Sequence, residues 1–210
     1  MSPDGSTLYW SSNRGGHFEV WRATADGTSP QQATHDGADA ENPSLPNDGR
    51  WIYYDSSNPK QPDGLWRVRN DGGAAERVIE AETAHPEVSA DGEYVLYQPF
   101  DPSRTGAIAI VRVSDRAVFT LASGLNSGMV RARWIGTTHT VAFRAADAQG
   151  RIGIFAQDFD PTRDTSAMRR AILVDDNDPE TFAISADGTR IVRSVLDEAS
   201  GIMIADGVRW

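Results

Sequence analysis

Cysteine is absent from the whole chain, and with it go disulfides, thiolate metal sites and cysteine nucleophiles. Lysine is nearly absent as well, since 19 of the 20 basic residues are arginine and Lys60 is the exception. Bases are outnumbered by 30 acids, which gives a formal net charge of −10, and no Lys/Arg stripe interrupts that balance. Such a surface repels phosphate backbones and anionic headgroups, so nucleic acid is not expected as a partner. No apolar run approaches the roughly 18 residues of a membrane span, so direct membrane insertion is not expected, and Met1-Ser2-Pro3-Asp4 does not read as a signal peptide. A convincing helical period is missing from every segment.

What the chain does have is one phrase, repeated. Asp4-Gly5, Asp48-Gly49, Asp91-Gly92 and Asp187-Gly188 each precede a short apolar strand, and Trp134-Ile135-Gly136 reads as a degenerate copy that keeps the glycine. The glycines at 5, 49, 92, 136 and 188 are 44, 43, 44 and 52 residues apart. A period of that size marks a radial or stacked repeat. Glycine accepts the positive φ that a tight hairpin needs, and aspartate can bond its own backbone two residues on, so these aspartates read as turn formers.

With 39% apolar and 24% charged residues, the 210-residue chain has the composition of a folded domain. Short strands alternate with turn signals from Leu8-Tyr9-Trp10 to Ile202-Met203-Ile204. The repeat predicts an all-β fold, a β-propeller of four-stranded antiparallel blades, with about five blade units in one domain over residues 1–210. Because Met1 falls just before the first turn, blade one is expected to lack its innermost strand, as in an incomplete propeller cut from a longer chain.

These residues resemble the TolB-type WD40-like propeller repeats. Ser2-Pro3-Asp4-Gly5, Ser12-Asn13-Arg14-Gly15-Gly16 and Ala25-Asp26-Gly27 carry the likeness in the first unit; Asp48-Gly49-Arg50-Trp51-Ile52-Tyr53 and Asn70-Asp71-Gly72-Gly73 carry it in the second. The stretch Gln157-Asp158-Phe159, with Pro161-Thr162-Arg163-Asp164-Thr165, is similar to propellers at the C-terminal end of bacterial Ser/Thr kinases and regulators. The resemblance implies an extracytoplasmic module for protein or peptide interaction, acting as sensor or scaffold. Such repeats also occur as the substrate-gating N-terminal propeller of prolyl-oligopeptidase-like peptidases, and carbohydrate-active propellers are a third class. Fold alone does not transfer an activity.

Catalytic signatures are weak, and no catalytic, cofactor or metal residue is assigned. Gly124-Leu125-Asn126-Ser127-Gly128 fails the nucleophile-elbow spacing by one position. His17, His35, His85 and His139 sit singly and are expected to be solvent-facing loop imidazoles. Asp175-Asp176-Asn177-Asp178 offers clustered hard oxygens but lacks the glycine and distal glutamate of a calcium loop, so a solvated loop is expected. No cofactor is expected, and the chain reads as a non-enzyme. One candidate binding feature remains. Connections between the second and third strands, and from the fourth strand to the next blade, share one face of a propeller and tend to carry function. On that face Asp36, Asp39, Glu41, Glu80, Glu82, Asp175, Asp176, Asp178 and Glu180 are expected to form an acidic rim suited to a basic peptide.

Overall fold

The computed structural model describes residues 1–37, 39–58, 61–100, 106–125, 130–174, 179–185 and 187–195. They form five antiparallel sheets in chain order. The first contains β1 (Thr7–Ser12), β2 (Glu19–Thr24) and β3 (Gln31–Gln32), and the second β4 (Asp39–Ser44), β5 (Trp51–Asn58), β6 (Gln61–Arg69) and β7 (Glu76–Glu80). The third holds β8 (Thr83–Val88), β9 (Tyr94–Pro99), β10 (Ala107–Arg112) and β11 (Val118–Ser123). The fourth holds β12 (Arg133–Trp134), β13 (Thr140–Ala146), β14 (Ile152–Asp158) and β15 (Arg170–Val174), and the last β16 (Pro179–Ile184) and β17 (Ile191–Val195). A single 3-10 turn, Ser166–Met168, is the one helical element among the described residues. As the repeat predicts, the first sheet has three strands and the next three have four each.

The central strands of the second, third and fourth sheets are apolar on both faces because each of these sheets is sandwiched between two others. Side chains alternate across a strand. In β5, Ile52 and Tyr54 join Val20, Ala40 and Val68 between the first and second sheets, while Tyr53 joins Leu65, Val78, Val88, Val95 and Tyr97 between the second and third. In β9, Tyr94 and Leu96 turn the other way and pack with Val141, Phe143 and Phe155 of the fourth sheet. Ala142 and Ile154 cover Phe182 of the fifth sheet. Four clusters between five successive sheets are the radial stacking of propeller blades.

The repeated turn works by division of labour. Gly5, Gly49, Gly92 and Gly188 have φ of 72°, 62°, 76° and 70°, and the N–H of each donates to the carbonyl three residues back. No aspartate in the repeat has positive φ; instead Oδ1 of Asp4, Asp48, Asp91 and Asp187 accepts the N–H two residues on, at 2.9–3.1 Å. In the fourth blade the sequence spacing misplaces the turn by two residues. Thr138 N donates to Ile135 O at 3.1 Å just as Gly92 N donates to Ser89 O at 2.9 Å, so Thr138, and not Gly136, holds the glycine position. Its hydroxyl donates to Ile135 O at 2.7 Å and accepts from Thr140 N at 3.3 Å, the N–H that corresponds to the one Ser89 Oγ accepts from Tyr94 in the third blade.

Gly49 gives a clean test, because a Cβ there would meet nothing within 4 Å and any penalty is purely conformational. Gly49→Val should cost on the order of 1–3 kcal/mol through forced positive φ. Asp48→Ala should cost about 1 kcal/mol, since it removes one exposed hydrogen bond. Denaturant titration of both variants checks the order. Equal, near-zero effects would rule out the turn geometry.

Candidate functional site: two polar recesses on the innermost strands

The innermost strands share a defect. Their pairing slips between Glu41 and Ser44 in the second sheet and between Ala84 and Glu87 in the third. Inside those slips Asn42 and His85 both have φ of 53°, and Arg131, just before β12, has φ of 45°. These are uncommon values for residues with a Cβ. Asn42 and His85 stand at the same offset from the turn glycines Gly49 and Gly92, and Arg131 stands at the same offset from Thr138.

The three side chains meet although they come from three blades. Arg131 Nη1 lies 3.0 Å from His85 Nε2 and 3.2 Å from Nδ1, and His85 Nδ1 lies 3.3 Å from Asn42 Oδ1. Asn42 Nδ2 donates to both oxygens of Asp55, at 3.0 and 3.2 Å. A guanidinium can only donate, so the imidazole beside it is neutral and passes its own N–H to Asn42. Burial, with the Arg131 and Arg133 charges, pushes His85 down to about 4. The bonds therefore run in one direction, from Arg131 through His85 and Asn42 to Asp55.

A recess lies at each end of this chain of bonds. At the cationic end a cavity of about 380 Å³ is lined by Asn42, Ser44, His85, Glu87, Arg131 and Arg133, among others. Glu87 Oε1 accepts the Trp134 N–H at 2.9 Å, and its Oε2 faces Arg133 Nη1 at 3.3 Å. Burial outweighs those partners and raises its carboxyl to about 7. At the other end a hollow of about 210 Å³ collects Asp39, Glu41, Asp55, Asp63 and Glu82, with no basic side chain among its described residues. Burial, with the neighbouring Glu41 charge, lifts Asp55 to about 6 against the hydrogen bonds from Asn42.

The expected acidic rim is met in part. Asp39, Glu41 and Glu82 do come together, joined by Asp55 and Asp63, which the sequence reading left out. Asp39 and Glu41 belong to β4 rather than to a loop. Asp36 is turned aside to accept the Tyr54 hydroxyl at 2.7 Å, and Glu80 pairs with Arg77 at 2.9 Å, so neither lines the hollow. Asp175, Asp176 and Asp178 lie outside the described residues, as does the Glu180 side chain and the segment holding Ser127.

The histidines divide. His17 and His35 are exposed as expected. His85 is in β8 and held by Asn42 and Arg131, so it is not a loop imidazole; His139 is in the loop before β13, where it lies 2.8 Å from Asp91 and packs edge-on to Tyr94 at 5.1 Å. Among the described residues no group of three or more His, Cys, Asp or Glu could hold a metal ion, and no helix is long and apolar enough to cross a membrane.

Solved structures share this arrangement of blades. TolB from Acinetobacter baumannii superposes over 93% of the chain and 47% of its own, with a TM-score of 0.70 and 21% identity. A putative TolB from Agrobacterium tumefaciens matches 60% of the chain and 50% of its own, at 26% identity and a TM-score of 0.52. The chain folds as a TolB-like β-propeller. An uncharacterized protein of Agrobacterium fabrum is 31% identical over 102 residues, 48% of the chain and 34% of that protein. The propeller thus spans about half the length of the TolB chains and a third of that relative. No family model matches the sequence.

Proposed function

We propose that this TolB-like propeller is a non-catalytic module that binds a protein or peptide through a basic segment, seated in the hollow formed by Asp39, Glu41, Asp55, Asp63 and Glu82. The observation that carries the reading is the convergence of five carboxylates on one concavity with no described base among them. Like charges around a concave mouth focus potential and draw a cation in. Asp55 is lifted to about 6 chiefly by burial, with the Glu41 charge adding to it in the same direction. A guanidinium or ammonium entering the hollow relieves that repulsion, and complementary charge sets both encounter rate and register.

The test is Asp39→Asn, Glu41→Gln and Glu82→Gln combined, titrated with an arginine-rich peptide at low and at high salt. Glu82 is exposed at the β7–β8 connection and Asp39 is exposed at the start of β4, so the triple variant should fold. Affinity at low salt should fall about tenfold or more, and its salt dependence should flatten. Unchanged affinity with unchanged salt dependence would defeat the reading.

A further inference from the structure

One arginine position runs through the blades. Arg22 in β2, Arg67 in β6 and Arg112 at the end of β10 recur at intervals of 45 residues, each on the strand next to the outermost. In the second blade the Nε–Nη2 edge of Arg67 donates to Glu76 Oε2 at 3.1 and 2.8 Å, and in the third the same edge of Arg112 donates to the two oxygens of Asp115 at 2.9 and 2.7 Å. The first blade departs from this. Gln31 stands opposite Arg22 as Glu76 stands opposite Arg67, so the register is kept and the negative charge is gone. The place of Asp115, three residues past the arginine, falls to Ala25, and the neighbouring Asp26 spends Oδ1 on Thr24 and Thr28 within its own turn.

Arg22 is nonetheless fixed in position. Its Nη1 donates to Asn70 O and, at 3.0 Å, to Asn70 Oδ1, while Asn70 is pinned by the Tyr9 hydroxyl at 3.0 Å and by its own Nδ2, which donates to Gly49 O at 3.0 Å. Among the described residues the Nε–Nη2 edge has no hydrogen bond and the guanidinium no ion pair. Beside it lies a groove of about 250 Å³, which Thr7, Ser29 and Gln31 also line. Ser29 holds φ of 54°, and neither its hydroxyl nor the Gln31 side-chain amide has a partner among the described residues.

We propose that this groove is a carboxylate-binding site, in which the Nε–Nη2 edge of Arg22 takes from outside the chain the carboxylate that Arg67 takes from Glu76. A guanidinium edge meets a carboxylate in two parallel hydrogen bonds, and the Ser29 hydroxyl and Gln31 amide supply further donors. Pockets for drug-sized ligands begin at roughly 300 Å³, so a groove of about 250 Å³ suits a short acid, either an aspartate or glutamate side chain of a partner protein or a free small organic acid. A net charge of −10 repels acidic ligands in bulk, so a preference for a carboxylate must come from the local cation. The groove is separate from the acidic hollow. The hollow lies at the Asp55–Ser57 end of β5, whereas Asn70 follows Arg69, which pairs with Trp51 at the other end of that strand.

Two titrations of the whole chain test the proposal and identify the source of the carboxylate. The first compares a peptide that carries glutamates, capped at both ends, with the same peptide carrying glutamines. The second follows the Arg22 Nε–H resonance by NMR during addition of sodium acetate, against sodium chloride at matched ionic strength. Gln31→Glu is the deciding variant, because at an exposed position it restores the pairing that the second blade already has and fills the site from within. A glutamate peptide that binds about tenfold or more better than its glutamine counterpart, with the preference cut below about twofold in Gln31→Glu, supports an acidic side chain on a partner protein. Saturable acetate shifts at Arg22, absent with chloride and lost in Gln31→Glu, without any peptide preference, support a free organic acid. Arg22→Lys keeps the charge without the fork and should retain only part of either response. Equal binding of the two peptides, together with identical acetate and chloride responses, overturns the proposal, as does a preference that neither Gln31→Glu nor Arg22→Lys alters.

Discussion

Gly153→Ala is expected to destabilise the propeller by on the order of 3 kcal/mol, at the upper end of what one inserted methyl costs in a packed structure. For a chain of this length that is roughly a 6–12 °C fall in Tm. Gly153 sits in β14, opposite Val174 and beside the slip in pairing between Ile154 and Phe155. A Cβ there would lie 2.5 Å from Leu173 O and 2.6 Å from Val174 Cγ2. The first obstacle is backbone and cannot swing aside, so β15 must move. Gly64 occupies the matching position in β6, where a Cβ would lie 2.7 Å from Ile79 O beside the slip between Leu65 and Trp66. Ala107 holds that position in the third sheet, next to the slip between Ile108 and Ala109, and shows that a wider approach is possible. Ala107→Gly should therefore lose only about 0.5–1 kcal/mol, from backbone entropy. An unchanged Tm in Gly153→Ala would mean that the outer strand of the fourth blade adapts as freely as that of the third.

The contrast among these glycines explains what could be read from the sequence. Gly5, Gly49, Gly92 and Gly188 recur because one backbone conformation recurs, and a period set by conformation is visible without coordinates. The fourth blade misleads because its turn closes on Thr138 without positive φ, while Gly136, with φ of 56°, imitates the turn glycine two residues early. Strand apolarity on both faces was likewise local, and it is what stacks the blades.

The polar recesses were not legible in the same way. Arg131, His85 and Asn42 are more than 40 residues apart in turn, and their contact depends on how three blades register against one another. A signal existed in Asn42-Pro43 and His85-Pro86, which stand at equal offsets from their turn glycines, but polar residues before proline read as ordinary strand entries. The acidic hollow was half visible. Acids in connections could be grouped by propeller topology, but the pairing of Glu80 with Arg77 and of Asp36 with Tyr54 is a matter of side-chain reach.

The two inner carboxyls should make stability fall as pH rises across the mildly acidic range. Asp55 is raised from 3.8 to about 6 and Glu87 from 4.5 to about 7, in both cases chiefly by burial. A carboxyl that holds its proton more tightly when folded favours the fold fully below its unfolded value, and that advantage is lost as pH climbs through the folded value. The Asp55 window thus runs from 3.8 to about 6, and the Glu87 window from 4.5 to about 7. At about 1.4 kcal/mol for each pH unit, each group accounts for on the order of 3 kcal/mol between pH 4 and pH 8. The turn aspartates act in the opposite sense and lower down. Hydrogen bonds led by the Ser2, Thr24 and Ser185 hydroxyls hold Asp4, Asp26 and Asp187 at about 2, so their contribution disappears only as pH falls from 3.8 toward that value. His85, pushed down from 6.5 to about 4, works against the two carboxyls, its contribution growing as pH rises between those values, so it offsets about one of them and stability should still decline from about pH 4 to pH 8. Glu87→Gln keeps a side-chain oxygen for the Trp134 N–H, and Asp55→Asn keeps one for Asn42 Nδ2, while each removes a titrating charge. Denaturation midpoints measured from pH 4 to pH 8 should flatten in each single variant and rise with pH up to about 6.5 in the double variant, where the depressed His85 is left unopposed by the two carboxyls. A double variant that declines as steeply as the unaltered chain would place the titrating groups elsewhere in the propeller.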